Sequence, residues 1–145
     1  MKLAMGADHG GYSLKEILKK HLVEAGHEVL DLGTHDTSSC NYPDYAAKVA
    51  YAVADREAAL GILVCGTGIG MSIAANKVKG IRAAAVSDCF TAQATREHND
   101  SNIICLGERF VGPGLAMRIV DTWLEASFQG GRHQVRVDMI SELEN

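Results

Sequence analysis

The chain has 145 residues, 47% of them apolar and 22% charged, with a formal net charge of −4. That size suits one domain, residues 1–145, and the acidic balance argues against a nucleic acid or an anionic membrane held by bulk charge. Glycine, at 15 residues, stands above its usual share, so the positions of the glycines carry information.

The predicted elements alternate. Lys2–Ala7 is an apolar run that ends in Asp8-His9-Gly10-Gly11. Leu14, Ile17, Leu18 and Leu22 follow at helical spacing, and Gly26 ends that helix. Residues 28–32 read as a second strand, placed at a sheet edge by Glu28 and Asp31. A polar loop over 34–41 leads into a helix with Ala46, Val49, Ala50 and Val53 on one face. Leu60–Cys65 is continuously apolar, as in a strand covered on both faces. Beyond it the spacing predicts helices over 72–77, 88–98, 115–128 and 132–143 and strands over 81–86 and 102–106. Strands alternating with helices make an α/β domain, a three-layer Rossmann-like sandwich around a five-stranded parallel sheet. The common order for such a sheet is 2-1-3-4-5, with strands one and three as the switch pair whose carboxyl ends bind ligand.

No signal-like segment opens the chain. The uncharged stretch over 58–76 is long enough to raise a membrane span. It is interrupted by Gly66, Gly68 and Gly70 and by polar Thr67, Ser72 and Asn76, so that reading is rejected. Cys40, Cys65, Cys89 and Cys105 show neither CxxC nor Cys/His finger spacing, which argues against structural zinc. The expectation is a reduced, cytoplasmic protein without metal or other cofactor.

Both switch-point strands end in polar constellations. Cys65-Gly66-Thr67-Gly68-Ile69-Gly70 lets a backbone approach a ligand and aims N–H groups at an anion; the bland alternative is a tight strand-to-helix turn. A dinucleotide fingerprint is weakened, because Met71 stands where its third glycine belongs, although Asp88 lies about 20 residues on. A P-loop does not match. Cys65 is either a small buried hydrophobe or, at a helix start, a thiolate able to act as base or nucleophile. His9 faces the same crevice. His98, in Arg96-Glu97-His98-Asn99-Asp100, is either a cationic helix end or part of a site. Arg132 and Arg136 share a helix face behind Gly130-Gly131 and form either a solvated patch or a phosphate fork. His21, His27, His35 and His133 join no constellation.

Six blocks taken together resemble ribose-5-phosphate isomerase type B. They are Asp8-His9-Gly10-Gly11, Asn41-Tyr42-Pro43-Asp44-Tyr45-Ala46, the Cys65–Gly70 loop, Arg96-Glu97-His98-Asn99-Asp100, Gly107-Glu108-Arg109 and Gly130-Gly131-Arg132-His133-Gln134-Val135-Arg136. The likeness runs over essentially the whole chain, and the family also includes galactose-6-phosphate isomerase subunits. Some relatives use a glutamate base; this chain keeps Cys65 and has Ala74-Ala75 where such a glutamate would fall.

The resemblance implies a metal-independent, cytoplasmic isomerase of the pentose phosphate pathway, interconverting ribose 5-phosphate and ribulose 5-phosphate through an enediolate. It implies His98 and Asp8 for ring opening, Cys65 as base, and Thr67 with the backbone of Gly66, Gly68, Ile69 and Gly70 at the oxyanion. His9, Arg109, Arg132 and Arg136 would hold phosphate, with Asn99 and Tyr42 along the sugar. A hexose 6-phosphate (allose or galactose) is the alternative substrate, and a nucleotide- or phosphate-sensing module the alternative class. A helix over 88–98 spans roughly 16 Å at 1.5 Å per residue. It would carry His98 away from Cys65, so a homodimer with composite sites is expected, alone or as a dimer of dimers.

Overall fold

The computed structural model describes residues 1–145. The elements follow in the order β1 (Lys2–Ala7), α1 (Tyr12–Glu24), β2 (Glu28–Asp31), α2 (Tyr42–Ala54), β3 (Leu60–Cys65), α3 (Ile69–Ala75), β4 (Ala83–Ala85), α4 (Cys89–Asn99), β5 (Ile103–Gly107), α5 (Pro113–Glu125) and α6 (Arg132–Glu142). Five strands pair in parallel. Alternate strand residues feed two cores. On one face Leu3, Met5, Ile62, Val64 and Ile104 pack under α1 and α5, with Trp123 fully buried. On the other, Leu63, Cys65, Ile103 and Cys105 pack under α2 and α3. The result is the expected three-layer α/β arrangement.

The strand order is β2-β1-β3-β5-β4, not 2-1-3-4-5. The apolar β5 is buried along its whole length, whereas β4 has three partly exposed alanines. The longer apolar strand takes the interior position and the short one the edge. A side chain then closes that edge: Asn76 Oδ1 accepts from Ala83 N–H at 2.7 Å and Asn76 Nδ2 donates to the Ala83 carbonyl at 2.9 Å. The exchange leaves β1 and β3 adjacent as the switch pair. It also sets β5 beside β3, with Cys65 opposite Gly107.

Several boundaries move for local reasons. Helix α3 starts at Ile69, not residue 72, because Gly68 adopts φ 80° and turns the chain into the helix directly. Helix α5 starts earlier than expected, on Pro113, whose fixed φ suits a first helical position. The Asp88 side chain caps α4 by accepting from Thr91 N–H at 2.7 Å.

A buried charge group supports the end of β1. Lys15, on α1, is fully buried and donates to both carboxylate oxygens of Asp31 at 2.7 and 2.8 Å. Asp31 also accepts from Lys19 and from Gly33 N–H, and the Gly33 carbonyl accepts from Ala7 N–H. Burial raises the Asp31 carboxyl, but the bonds from Lys15, Gly33 and Lys19 outweigh it and hold the group below its ordinary value of 3.8. A carboxyl lowered on folding stabilises the protein above its unfolded value, and that contribution is lost as pH falls through the folded one. Asp31→Asn is expected to destabilise by roughly 3 kcal/mol at neutral pH, since it leaves a buried ammonium. It should also flatten the loss of stability that wild type shows below about pH 3.8. Urea unfolding at a series of pH values measures both.

Candidate active site

The expected site residues fall into two groups. The first lies at the carboxyl ends of β1, β3 and β5. Asp8, only 8% exposed, accepts from Gly10 N–H at 2.9 Å through Oδ1. Its neighbour His9 is oriented by the loop before α2: Nδ1 accepts from Cys40 N–H at 3.2 Å. Cys65 is buried, and its Sγ accepts from Gly68 N–H at 3.1 Å. The thiol is therefore held by the turn that follows it.

The glycines of this turn are needed for approach. A β-carbon on Gly66 would lie 3.1 Å from Arg109 Nε, and one on Gly70 would lie 2.7 Å from the Tyr42 ring. Arg109 and Tyr42 therefore lie along the glycine loop of their own chain. The N–H groups of Gly66, Thr67 and Gly70 donate to no acceptor within the chain. Thr67 Oγ1 accepts from Ile69 N–H at 3.3 Å, which leaves its hydroxyl proton available. Exposed Ile69 lies at the start of α3. Beneath the loop, burial above all pushes the Cys105 thiol up, with the charge of Cys65 adding to it, so Cys105 stays a neutral packing residue.

The second group lies at the other end of the sheet. Helix α4 runs back from the carboxyl end of β4, and the Asn99 carbonyl accepts from Nε of Arg82, the residue immediately before β4. His98 and Asn99 thus sit at the amino end of the strands, about 17 Å of strand length from Cys65. The His98 ring stacks on His133 with centroids 4.4 Å apart and planes 10° apart. Partial desolvation, then the positive charges of His98, Arg132 and Arg136, hold the His133 imidazole below its ordinary value of 6.5. Arg132 and Arg136 therefore supply the positive charge of this cluster, and their field favours a neutral His133 ring. The sequence left His133 unassigned; its place between Arg132 and Arg136 in one helical turn was the available signal.

Near this second group a cavity of about 590 Å³ is lined by Asn76, Arg82, Asn99 and Ile140 among others and holds none of the first group. No three His, Cys, Asp or Glu side chains converge as a metal site would require. No helix is long and apolar enough to cross a membrane.

Known proteins match along the same length. A model of the ribose/galactose isomerase family matches residues 3–140. The chain is 52% identical over 143 residues to ribose-5-phosphate isomerase B of Escherichia coli strain K12, covering 99% of this chain and 96% of that one. A solved structure of ribose-5-phosphate isomerase B from Clostridium thermocellum superposes with a TM-score of 0.99 at 56% identity, covering 99% and 97% of the two chains. Ribose-5-phosphate isomerase B from Mycoplasma genitalium, solved with bound ribulose 5-phosphate, superposes at 0.94 with 43% identity over 99% and 95%. An isomerase fold, a thiol beneath an N–H-rich glycine loop, and identity sustained from one end to the other place this chain in the ribose/galactose isomerase family.

Proposed function

We propose that this isomerase, acting as a single domain over residues 1–145, interconverts ribose 5-phosphate and ribulose 5-phosphate, the reaction named for its relatives, with Cys65 as the base. The observation that carries the reading is the setting of Cys65. Its sulfur is held by Gly68 N–H, and the N–H groups of Gly66, Thr67 and Gly70 donate to nothing in the chain. A base beside oriented donors is what proton abstraction next to a carbonyl requires.

The sugar must first open, and His98 with Asp8 are the acid–base pair for that step. The Cys65 thiolate then takes the proton from C2, and the C1 carbonyl oxygen becomes the charged oxygen of an enediolate. Donors from the glycine loop stabilise that charge, and the Thr67 hydroxyl moves a proton between O1 and O2. Cys65 returns its proton to C1, giving the ketose. His9, Arg109, Arg132 and Arg136 hold the phosphate, while Tyr42 and Asn99 line the sugar. No metal enters this scheme, because the loop donors supply the electrostatic stabilisation.

These residues cannot serve one site within one chain, since His98, Asn99, Arg132 and Arg136 belong to the opposite end of the sheet. A two-fold homodimer supplies them from a second copy and makes two reciprocal sites. The separation of the two groups supports this assembly.

Cys65→Ala is expected to lower kcat by at least a thousandfold with little change in KM, since the base acts only in the transition state. Arg136→Ala is expected to raise KM about tenfold or more with a smaller effect on kcat, because the phosphate does not react. Steady-state assays on ribose, allose and galactose phosphates side by side measure both and identify the substrate. If a hexose 6-phosphate gives the higher kcat/KM, the pentose assignment is wrong.

Mixing Cys65→Ala with His98→Ala protein tests the composite site. Each is expected to be inactive alone. A mixed dimer has one site lacking both residues and one intact, so random exchange should restore about a quarter of wild-type activity. Background activity after demonstrated subunit exchange would place His98 outside the site or within its own chain's.

A further inference from the structure

Glu108 takes no part in the chemistry above, yet it joins three loops. Its Oε1 accepts from Leu14 N–H at 2.6 Å, across 94 residues of sequence. Leu14 is the third residue of α1, so its N–H has no acceptor within the helix. Helix α1 cannot cap itself: its N-cap is Gly11, which brings no side chain, and its first turn holds no acid. Meanwhile the backbone of the same turn after β5 grips the catalytic loop. Glu108 N–H donates to the Cys65 carbonyl at 2.9 Å and Arg109 N–H to the Gly66 carbonyl at 3.1 Å.

The Glu108 carboxylate forms no ion pair with neighbouring Arg109. The ion pairs of the chain involve Lys15, Lys19, His21, Arg82 and Arg96, and Arg109 is in none of them. The Arg109 guanidinium keeps its charge for a ligand while Glu108 holds α1. The segment so held follows directly on Asp8 and His9 and contains Gly10 and Gly11, two residues with wide backbone freedom.

We propose that Glu108 is a positioning residue. By accepting from Leu14 N–H while its backbone holds Cys65, it sets the spacing between Asp8-His9 and Cys65-Arg109 that a sugar phosphate must bridge. This rests on the isomerase site described above. A misplacement of about 1 Å is enough to lower a rate on the order of a hundredfold.

Three variants separate the acceptor from the charge. Glu108→Gln keeps length and an acceptor oxygen but loses the charge. Glu108→Asp keeps the charge but falls one methylene short of Leu14, and Glu108→Ala removes both. The expected result is kcat/KM within about threefold of wild type for Gln and roughly tenfold or more below it for Asp and Ala, with kcat itself reduced. Hydrogen exchange at the amides of residues 10–14 should quicken in Asp and Ala but not in Gln. If Ala does not fold, the contrast between Gln and Asp decides.

The proposal is overturned if Gln loses as much as Asp, if Asp and Ala keep wild-type kinetics, or if exchange over residues 10–14 is unchanged in Asp. A wild-type enzyme inactive on ribose 5-phosphate would refute the substrate assignment and leave this test intact. The same variants would then be compared by exchange and by affinity for inorganic phosphate, expected to be weaker in Asp than in Gln.

Discussion

Gly11 lies against the Val64 carbonyl with no room for a β-carbon, and a β-carbon on Gly10 would come within 3.4 Å of Gly66 nitrogen. The close approach at Gly11, with the bond from Asp8 N–H to the Val64 carbonyl, holds the loop after β1 against the end of β3, and the rest of the site depends on it. A side chain at Gly11 would push the loops apart and separate Asp8 and His9 from the thiol. The approach is possible because β1 and β3 are adjacent parallel strands whose chains leave the sheet to opposite faces, opening a crevice at their carboxyl ends. Glycine at the bottom of that crevice leaves backbone N–H groups open beside the polar side chains.

Support for this arrangement comes from buried and half-buried polar groups that hydrogen-bond between elements. Lys15 and Asp31 join α1 to β2, and Asp31 passes the restraint through Gly33 to Ala7, the last residue before Asp8. Glu108 reaches the same helix from the opposite side of the crevice. Such groups are costly to bury and are tolerated only where their bonds are complete. Their concentration around one loop shows where the fold spends stability on geometry.

The far end of the molecule follows a different rule. Helix α4 must run antiparallel to the strand it follows, so a histidine at its last turn is carried to the amino side of the sheet. There Arg132 and Arg136 gather positive charge beside the two stacked rings, without a carboxylate close enough to form an ion pair with either arginine. Uncompensated positive charge at a protein surface is a complement for an anion. The group around Cys65 and the group around Arg132 and Arg136 are thus separated by the length of a strand, and the topology, not any single residue, keeps them apart.

Local pattern in the sequence determined the alternation of elements, the two-faced burial of β3, the edge position of β2 and the glycine turn after Cys65. Each rests on spacing within a few residues, where periodicity and backbone freedom act directly. The membership of Asp8, His9, Cys65 and Thr67 in one crevice was legible too, because the switch-point rule needs only that β1 and β3 be neighbours. Tertiary structure alone decided that β5, not β4, lies beside β3. Both strands are short and apolar, and the choice turns on which buries more against its neighbours. It also decided that Glu108 holds α1 and that His133 stacks on His98. Contacts across 94 residues, or between the faces of two helices, depend on packing angles that no local pattern encodes.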